Sequence, residues 1–245
     1  MEALTPVIAV LLALAIGAIM LLALQVNPAT AYAALADGAF GSTFAVAQTL
    51  VKATPLLLVG LGICIAFRGG VINIGGEGQI IVGALATTAF TLGFPDAPLL
   101  VLLPGGLICG MLVGGLWGGI AGVLKARFGV NEILTTIMMN AIAVQLSNFL
   151  LRGPMIDPKE IVSGTLLAQS ARLPETSWLP RLIPQTLLHA GAIFAVVMAV
   201  LVYVLLWRTV LGYRIRAVGL NADAARYAGI RVPVYQALAL LLSGA

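Results

Sequence analysis

The sequence predicts an all-α fold, a polytopic bundle of transmembrane helices, and three observations carry that prediction. Hydrophobic residues make up 61% of the chain and charged residues 9%, against roughly 25% charged in a soluble domain. Apolar runs long enough to cross about 30 Å of hydrocarbon at about 1.5 Å per residue recur along its whole length. One of these runs is interrupted by FRGGVINIGGEGQ, residues 67–79. There Gly69, Gly70, Gly75 and Gly76 free the backbone to leave a helix, and Asn73, Glu77 and Gln79 gather polar groups. Irregular backbone at membrane depth persists only where protein or water satisfies its peptide groups, so the break points inward, to a cavity or a solute path.

Residues 4–26 are an almost unbroken apolar run. It is longer than a signal peptide's apolar core of roughly 7–15 residues. Its front carries Glu2 and no basic stretch, so it reads as a retained first span. Residues 27–42, with Asn27-Pro28 and Asp37-Gly38, read as a connection with turn chemistry. The second span is 44–67, in which Lys52 is either a snorkelling residue near the surface or a buried functional charge. Residues 80–92 are too short to span alone and become a third crossing only if part of 71–79 is sunk in the membrane. Residues 99–124 form the fourth span. Gly106, Gly110 and Gly114, then Gly115 and Gly119, take the four-residue spacing that lets another helix approach closely.

A short basic loop, 125–131, leads to the fifth span, 133–151, which carries Asn140. Residues 152–185 are the longest polar segment, long enough to mark a functional surface element with short helices, one near Trp178. The sixth span is 187–207. Residues 208–233 set five arginines against Asp223 alone, and 236–245 begin a seventh apolar run, at which the chain reads as incomplete. Residues 1–245 are thus expected to form one transmembrane domain of about six complete spans and the start of a seventh.

Lysine and arginine collect in cytoplasmic loops, which orients the bundle. With 208–233 inside, parity places Arg68, Lys125 and Arg127 inside as well, while the short outside loops carry only Asp37 and Asp96. The loop 152–185 is then extracytoplasmic, and the N-terminus is cytoplasmic. The net charge of +4 belongs to this asymmetry and not to nucleic-acid binding. Cys64 and Cys109 lie in apolar runs and read as small buried hydrophobes. His189 is alone at a span edge, Trp178 and Trp207 read as interfacial anchors, and neither a metal site nor a catalytic group is expected.

Within the cytoplasmic segment, residues 221–229 (NADAARYAG) predict a helix of two turns, capped by Asn221 and ended by Gly229. Ala224, Ala225 and Ala228 give it a smooth face, with Arg226 and Tyr227 projecting. Such a helix either docks into a groove on a soluble partner or lies on anionic lipid. The candidate pathway residues also carry two readings each. Glu77 is a functional intramembrane carboxylate, or it caps the next helix or pairs with Arg68. Asn73 and Gln79 bond a solute or satisfy loop backbone, and Asn140 faces the pathway or a neighbouring helix.

Four stretches together resemble the permease subunit of ABC importers of the branched-chain amino acid and ribose superfamily, most nearly its simple sugar and nucleoside group. They are residues 67–79, LKARFGVNEILTTIMMNAIA (124–143), LRGPMIDP (151–158) and RTVLGYRIRAVGLNADAARYAGI (208–230). The resemblance implies a subunit that pairs with a second permease, identical or homologous, and is driven by two cytoplasmic ATPase subunits or domains. It implies an extracytoplasmic solute-binding protein and a place in the plasma (inner) membrane of a prokaryote. Residues 216–230 resemble the family's coupling helix, with Arg216, Gly219, Asn221, Ala224, Ala225, Arg226 and Gly229 as its contact and shape residues; this favours docking over lipid. Residues 73–79 resemble an element beside the translocation path. No cofactor is expected on this chain, which lacks a GxxxxGK[ST] phosphate loop; ATP and magnesium are expected on the partner ATPase. A secondary transporter or a channel for a small polar solute is the rival reading.

Overall fold

In the computed structural model, which describes residues 4–165 and 167–245, the named elements are eleven α-helices and one 3-10 turn. Among the described residues the only β feature recorded is an isolated bridge between Arg181 and His189. Glu2, at the front of the first apolar run, lies outside the described residues, as does Leu166 within the segment 152–185. Among the described residues, five helices are long and apolar enough to cross a membrane: Thr5–Ala23, Thr43–Arg68, Leu99–Phe128, Glu132–Arg152 and Gly191–Arg208. The third crossing, expected over 80–92 with part of 71–79, corresponds to an eighteen-residue helix that takes in Gly76-Glu77-Gly78-Gln79 of the break and is not one of those five. The chain divides into two compact units.

The first unit comprises residues 1–53 and 181–189. Helix α1 is Leu4–Ala23, and its flanks are exposed apolar surface suited to lipid. The connection expected at 27–42 is mostly helix, α2, Pro28–Phe40. Asn27 is its N-cap, its side chain accepting from the Ala29 amide at 2.9 Å, and Pro28 takes the first helical position. The residues read as turn formers are the ones that start a helix. Tyr32 donates to the Leu14 carbonyl at 2.6 Å, holding α2 to α1. In 181–189 the Leu182 amide donates to the Leu188 carbonyl at 2.8 Å, so the backbone turns there and is not yet helical. For that reason the sixth expected span begins at Gly191 and not at 187.

The second unit holds residues 54–180 and 190–245. It takes in the end of α3 (Thr43–Arg68), then α4 (Gly76–Gly93), α5 (Leu99–Phe128) and α6 (Glu132–Arg152). After the short α7 (Pro158–Ser163) and a 3-10 turn at Glu175–Ser177 come α8 (Gly191–Arg208), α9 (Val210–Leu220), α10 (Ala222–Tyr227) and α11 (Val232–Gly244). Helix α5 runs one turn past its expected end, stopping at left-handed Gly129 (φ 68°). A Lys125–Glu132 ion pair of 2.6 Å closes the link to α6.

The glycine face of α5 is used twice. Near its start Gly106 meets Thr87 of α4, and further along Gly118 and Gly122 meet the backbone of α11. A Cβ on Gly118 would lie 2.5 Å from the Leu240 carbonyl, and one on Gly122 2.8 Å from the Ala237 Cα. Such contacts matter because apolar side chains gain little by leaving lipid, so packing itself must hold the helices together. The main buried cluster, with Ile65, Val71, Leu206, Ile215 and Leu240, draws one side chain or more from α3, the break, α8, α9 and α11.

Candidate functional site

Helix α3 ends in a Schellman motif. The Val71 amide donates to the Ala66 carbonyl and the Gly70 amide to the Phe67 carbonyl, both at 3.1 Å, with Gly70 left-handed at φ 69°. The next residues alternate: Val71, Asn73 and Gly75 are buried, and Ile72 and Ile74 are exposed. Helix α4 starts at Gly76 with Gly75 as N-cap and no side-chain cap.

Side chains satisfy this broken backbone. The Asn73 Oδ1 accepts from the Gly75 amide at 2.8 Å and from Gln79 Nε2 at 3.2 Å. Asn73 Nδ2 donates to Gln79 Oε1 at 3.0 Å and to Ser243 Oγ of α11 at 2.7 Å. From α6, Asn140 donates to the Ile74 carbonyl and accepts from the Gly78 amide, each at 2.9 Å. Thr136 accepts from the Ile74 amide at 3.4 Å. The structure therefore brings Asn73, Gln79 and Asn140 together, with much of their hydrogen-bonding capacity spent on the break. Asn73 has all four of its amide positions filled. Gln79 keeps one N–H and one oxygen lone pair beyond its exchange with Asn73.

Glu77 stands apart, exposed on the first turn of α4. Among the described residues it neither caps α4 by its side chain nor pairs with Arg68, whose guanidinium lies 5.4 Å from the Trp207 ring centroid. Ser243 and Thr136 were missed from sequence. Ser243 is a lone hydroxyl at the end of an apolar run and Thr136 the second of two adjacent threonines, and neither pattern by itself marks a polar cluster. Beside the break lies a cavity of about 400 Å³, walled mainly by apolar side chains such as Leu58, Phe194 and Met198. Its polar part is Asn73, Gln79, Thr87 and Ser243.

The segment after α8 differs from its expectation in two ways. Residues 210–220 form a helix that was not expected, α9, capped by Thr209, whose hydroxyl accepts from the Gly212 amide at 3.0 Å. The expected helix over 221–229 is α10, only six residues long. Asn221 does cap it, accepting from the Asp223 and Ala224 amides at 3.0 Å, and Gly229 (φ 79°) lies just beyond it. Ala225 is not on a docking face; it is buried against Val218 and Val232. Ala224, Arg226, Tyr227 and Ala228 are exposed, Tyr227 at 96%, and Arg226 pairs with Asp223 at 3.3 Å. Arg216 turns away from α10, its Nε donating to the Leu206 carbonyl at 2.9 Å.

Helix α9 reaches the break directly. At Gly219 a Cβ would lie 2.2 Å from the Arg68 carbonyl oxygen and 2.8 Å from the Gly70 nitrogen, so the two backbones touch. The helix that carries α10 and the backbone that leaves the bilayer helix α3 are in contact with no side chain between them.

Residues 45–245 match the family described as branched-chain amino acid transport system, permease component. The chain belongs to this family of ABC-importer permease subunits, which are transport components and not enzymes. It is similar to a guanosine ABC transporter permease protein of Bacillus subtilis, 38% identical over 99% of this chain and 68% of the relative. It is similar to a nucleoside ABC transporter permease protein of Lactococcus lactis, at 35% over 100% and 68%, and to a glucose ABC transporter permease protein of Haloferax volcanii, at 38% over 98% and 64%. The chain thus spans about two thirds of the length of these relatives. No solved structure matches it significantly.

Proposed function

We propose that this chain forms the membrane path for uptake of a nucleoside or a simple sugar, driven by two separate cytoplasmic ATPase subunits or domains. It pairs with a second permease, receives solute from an extracytoplasmic binding protein, and sits in a prokaryotic plasma membrane with its N-terminus inside. The substrate class is that of its relatives, the guanosine, nucleoside and glucose permeases. These solutes are neutral and rich in hydroxyls, which suits a cavity with a few amide and hydroxyl groups and no charge.

The single observation that carries the coupling is the backbone contact of Gly219 with Arg68 and Gly70. ATP-driven closure of the partner dimer moves α10; α9 passes that displacement to the break, and the break moves the first turn of α4 beside the cavity. Glu77, Gln79 and Asn73 belong to that moving element and Asn140 holds it from α6, as pathway residues or as the groups that keep it intact.

Co-purification tests the docking. Because Ala225 is a packing residue, enlarging it would damage the loop itself, so the exposed face is the cleaner target. Arg226→Glu with Tyr227→Ala is expected to release the co-expressed ATPase while leaving the permease folded in the membrane. Retention of the ATPase by this variant would remove the exposed face of α10 from the docking surface, whereas solute uptake that proceeds without ATP would replace this reading with the secondary transporter or channel.

A further inference from the structure

Two arginines from different helices converge on one tryptophan. Arg216 Cζ lies 4.1 Å and Arg68 Cζ 5.4 Å from the centroid of the Trp207 ring. Arg216 is also held by its bond to the Leu206 carbonyl, in the last turn of α8, and Arg68 sits in the last turn of α3. Both placements put a cation at a helix C-terminus, where the helix dipole favours it. Neither meets a carboxylate. The ion pairs among the described residues are Lys125–Glu132 and Arg226–Asp223. Two positive charges held against one ring repel each other, and only Arg216 Nε is committed to a protein acceptor. The remaining guanidinium N–H groups form forks that match a phosphate.

The surroundings say which phosphate. Trp207 is 44% exposed and continues a stripe along α8 with Val200 at 58% and Val204 at 41%, spaced four and three residues apart. That stripe is apolar and runs down a membrane-crossing helix to the two arginines at its end. An amphiphile with acyl chains on the stripe and an anionic head on the guanidiniums fits both halves; a soluble phosphate uses only one. Tryptophan at the end of a span marks the depth of lipid headgroups.

We propose that Arg68, Trp207 and Arg216 form a binding site for the phosphate of an anionic phospholipid, whose chains lie along Val200 and Val204. The site does not depend on which solute is carried or on which side of the membrane it faces. It pins the end of α3, the residue before the break, to α9.

Native mass spectrometry of the purified full chain, from micelles holding equal phosphatidylglycerol and phosphatidylcholine, tests it. About fivefold per arginine gives an expected preference for the anionic lipid of roughly thirtyfold. Arg68→Gln alone, where no hydrogen bond is lost, lowers the preference about fivefold. Arg68→Gln with Arg216→Gln removes it, and Arg208→Gln, on the exposed residue next to Trp207, leaves it. Millimolar inorganic phosphate leaves the lipid bound. The proposal is overturned if the wild-type chain shows no preference, if Arg208→Gln costs as much as the pair, or if inorganic phosphate displaces the lipid.

Discussion

The break after α3 and the segment after α10 stop their helices in the same way and then diverge. At the break, Val71 donates to Ala66 across left-handed Gly70; after α10, Ile230 donates to Ala225 at 2.9 Å across left-handed Gly229. In both, the residue beyond the glycine turns inward, Val71 into the main cluster and Ile230 onto the Val218, Ala225 and Val232 group. The backbone beyond Gly70 is enclosed by α6 and α11, and four polar side chains, Asn73, Gln79, Thr136 and Asn140, close its hydrogen bonds with Ser243 behind them. Around Gly229, by contrast, Tyr227, Ala228 and Arg231 are exposed, and Ile230 alone turns in. An identical local stop thus serves a sealed element in one place and an exposed one in the other. The difference lies in whether neighbouring helices supply amides and hydroxyls.

Four substitutions test that contrast, beginning with the greatest expected loss. Asn73→Leu leaves the Gly75 amide, Gln79 and Ser243 without their partner, and about 1–3 kcal/mol for each buried orphan puts the destabilisation at several kcal/mol. Thermal unfolding of the purified chain reads this, and a shift of under a degree would mean the break is not sealed by that amide. Gly219→Ala forces a Cβ into the Arg68 carbonyl, costing about 1–3 kcal/mol as overpacking. In the assembled transporter it is expected to lower uptake more than ATP hydrolysis; equal loss of both would remove the contact from the coupling route. Asn221→Ala costs about 1 kcal/mol of local helix stability. Faster hydrogen exchange at Asp223 and Ala224 should report it, with the global transition unmoved. Glu77→Gln, at an exposed and unpaired position, is expected to change stability by no more than about 0.5 kcal/mol. If uptake nevertheless falls, the carboxylate acts in the pathway; if both hold, it has no such part.

Much of the architecture was legible because lipid imposes it. Apolar run length placed α3, α5 and α6 within a few residues, and paired glycines marked both ends of the break. Helix α2 was missed since Asn-Pro signals a turn and a capped helix start alike. Helix α9 was missed because Arg214 and Arg216 hide a short buried stripe of Gly212, Ile215 and Val218. The inward face of Ala225 was illegible for another reason: alanine is small enough for either side of a helix, and only Val218 and Val232 decide between them. Ser243 lies 170 residues from Asn73, and nothing local to either predicts their bond.

The bare flank of α5 has one more effect. Where α4 and α11 rest on Gly106, Gly118 and Gly122, main chain meets main chain or a single methyl, and there is no compressible padding to absorb a small displacement. Tilting either tenant must carry the other along or part the seam altogether. A single methyl added at Gly118 or Gly122 would meet the main chain of α11 at 2.5 or 2.8 Å, so either change would wedge the seam open.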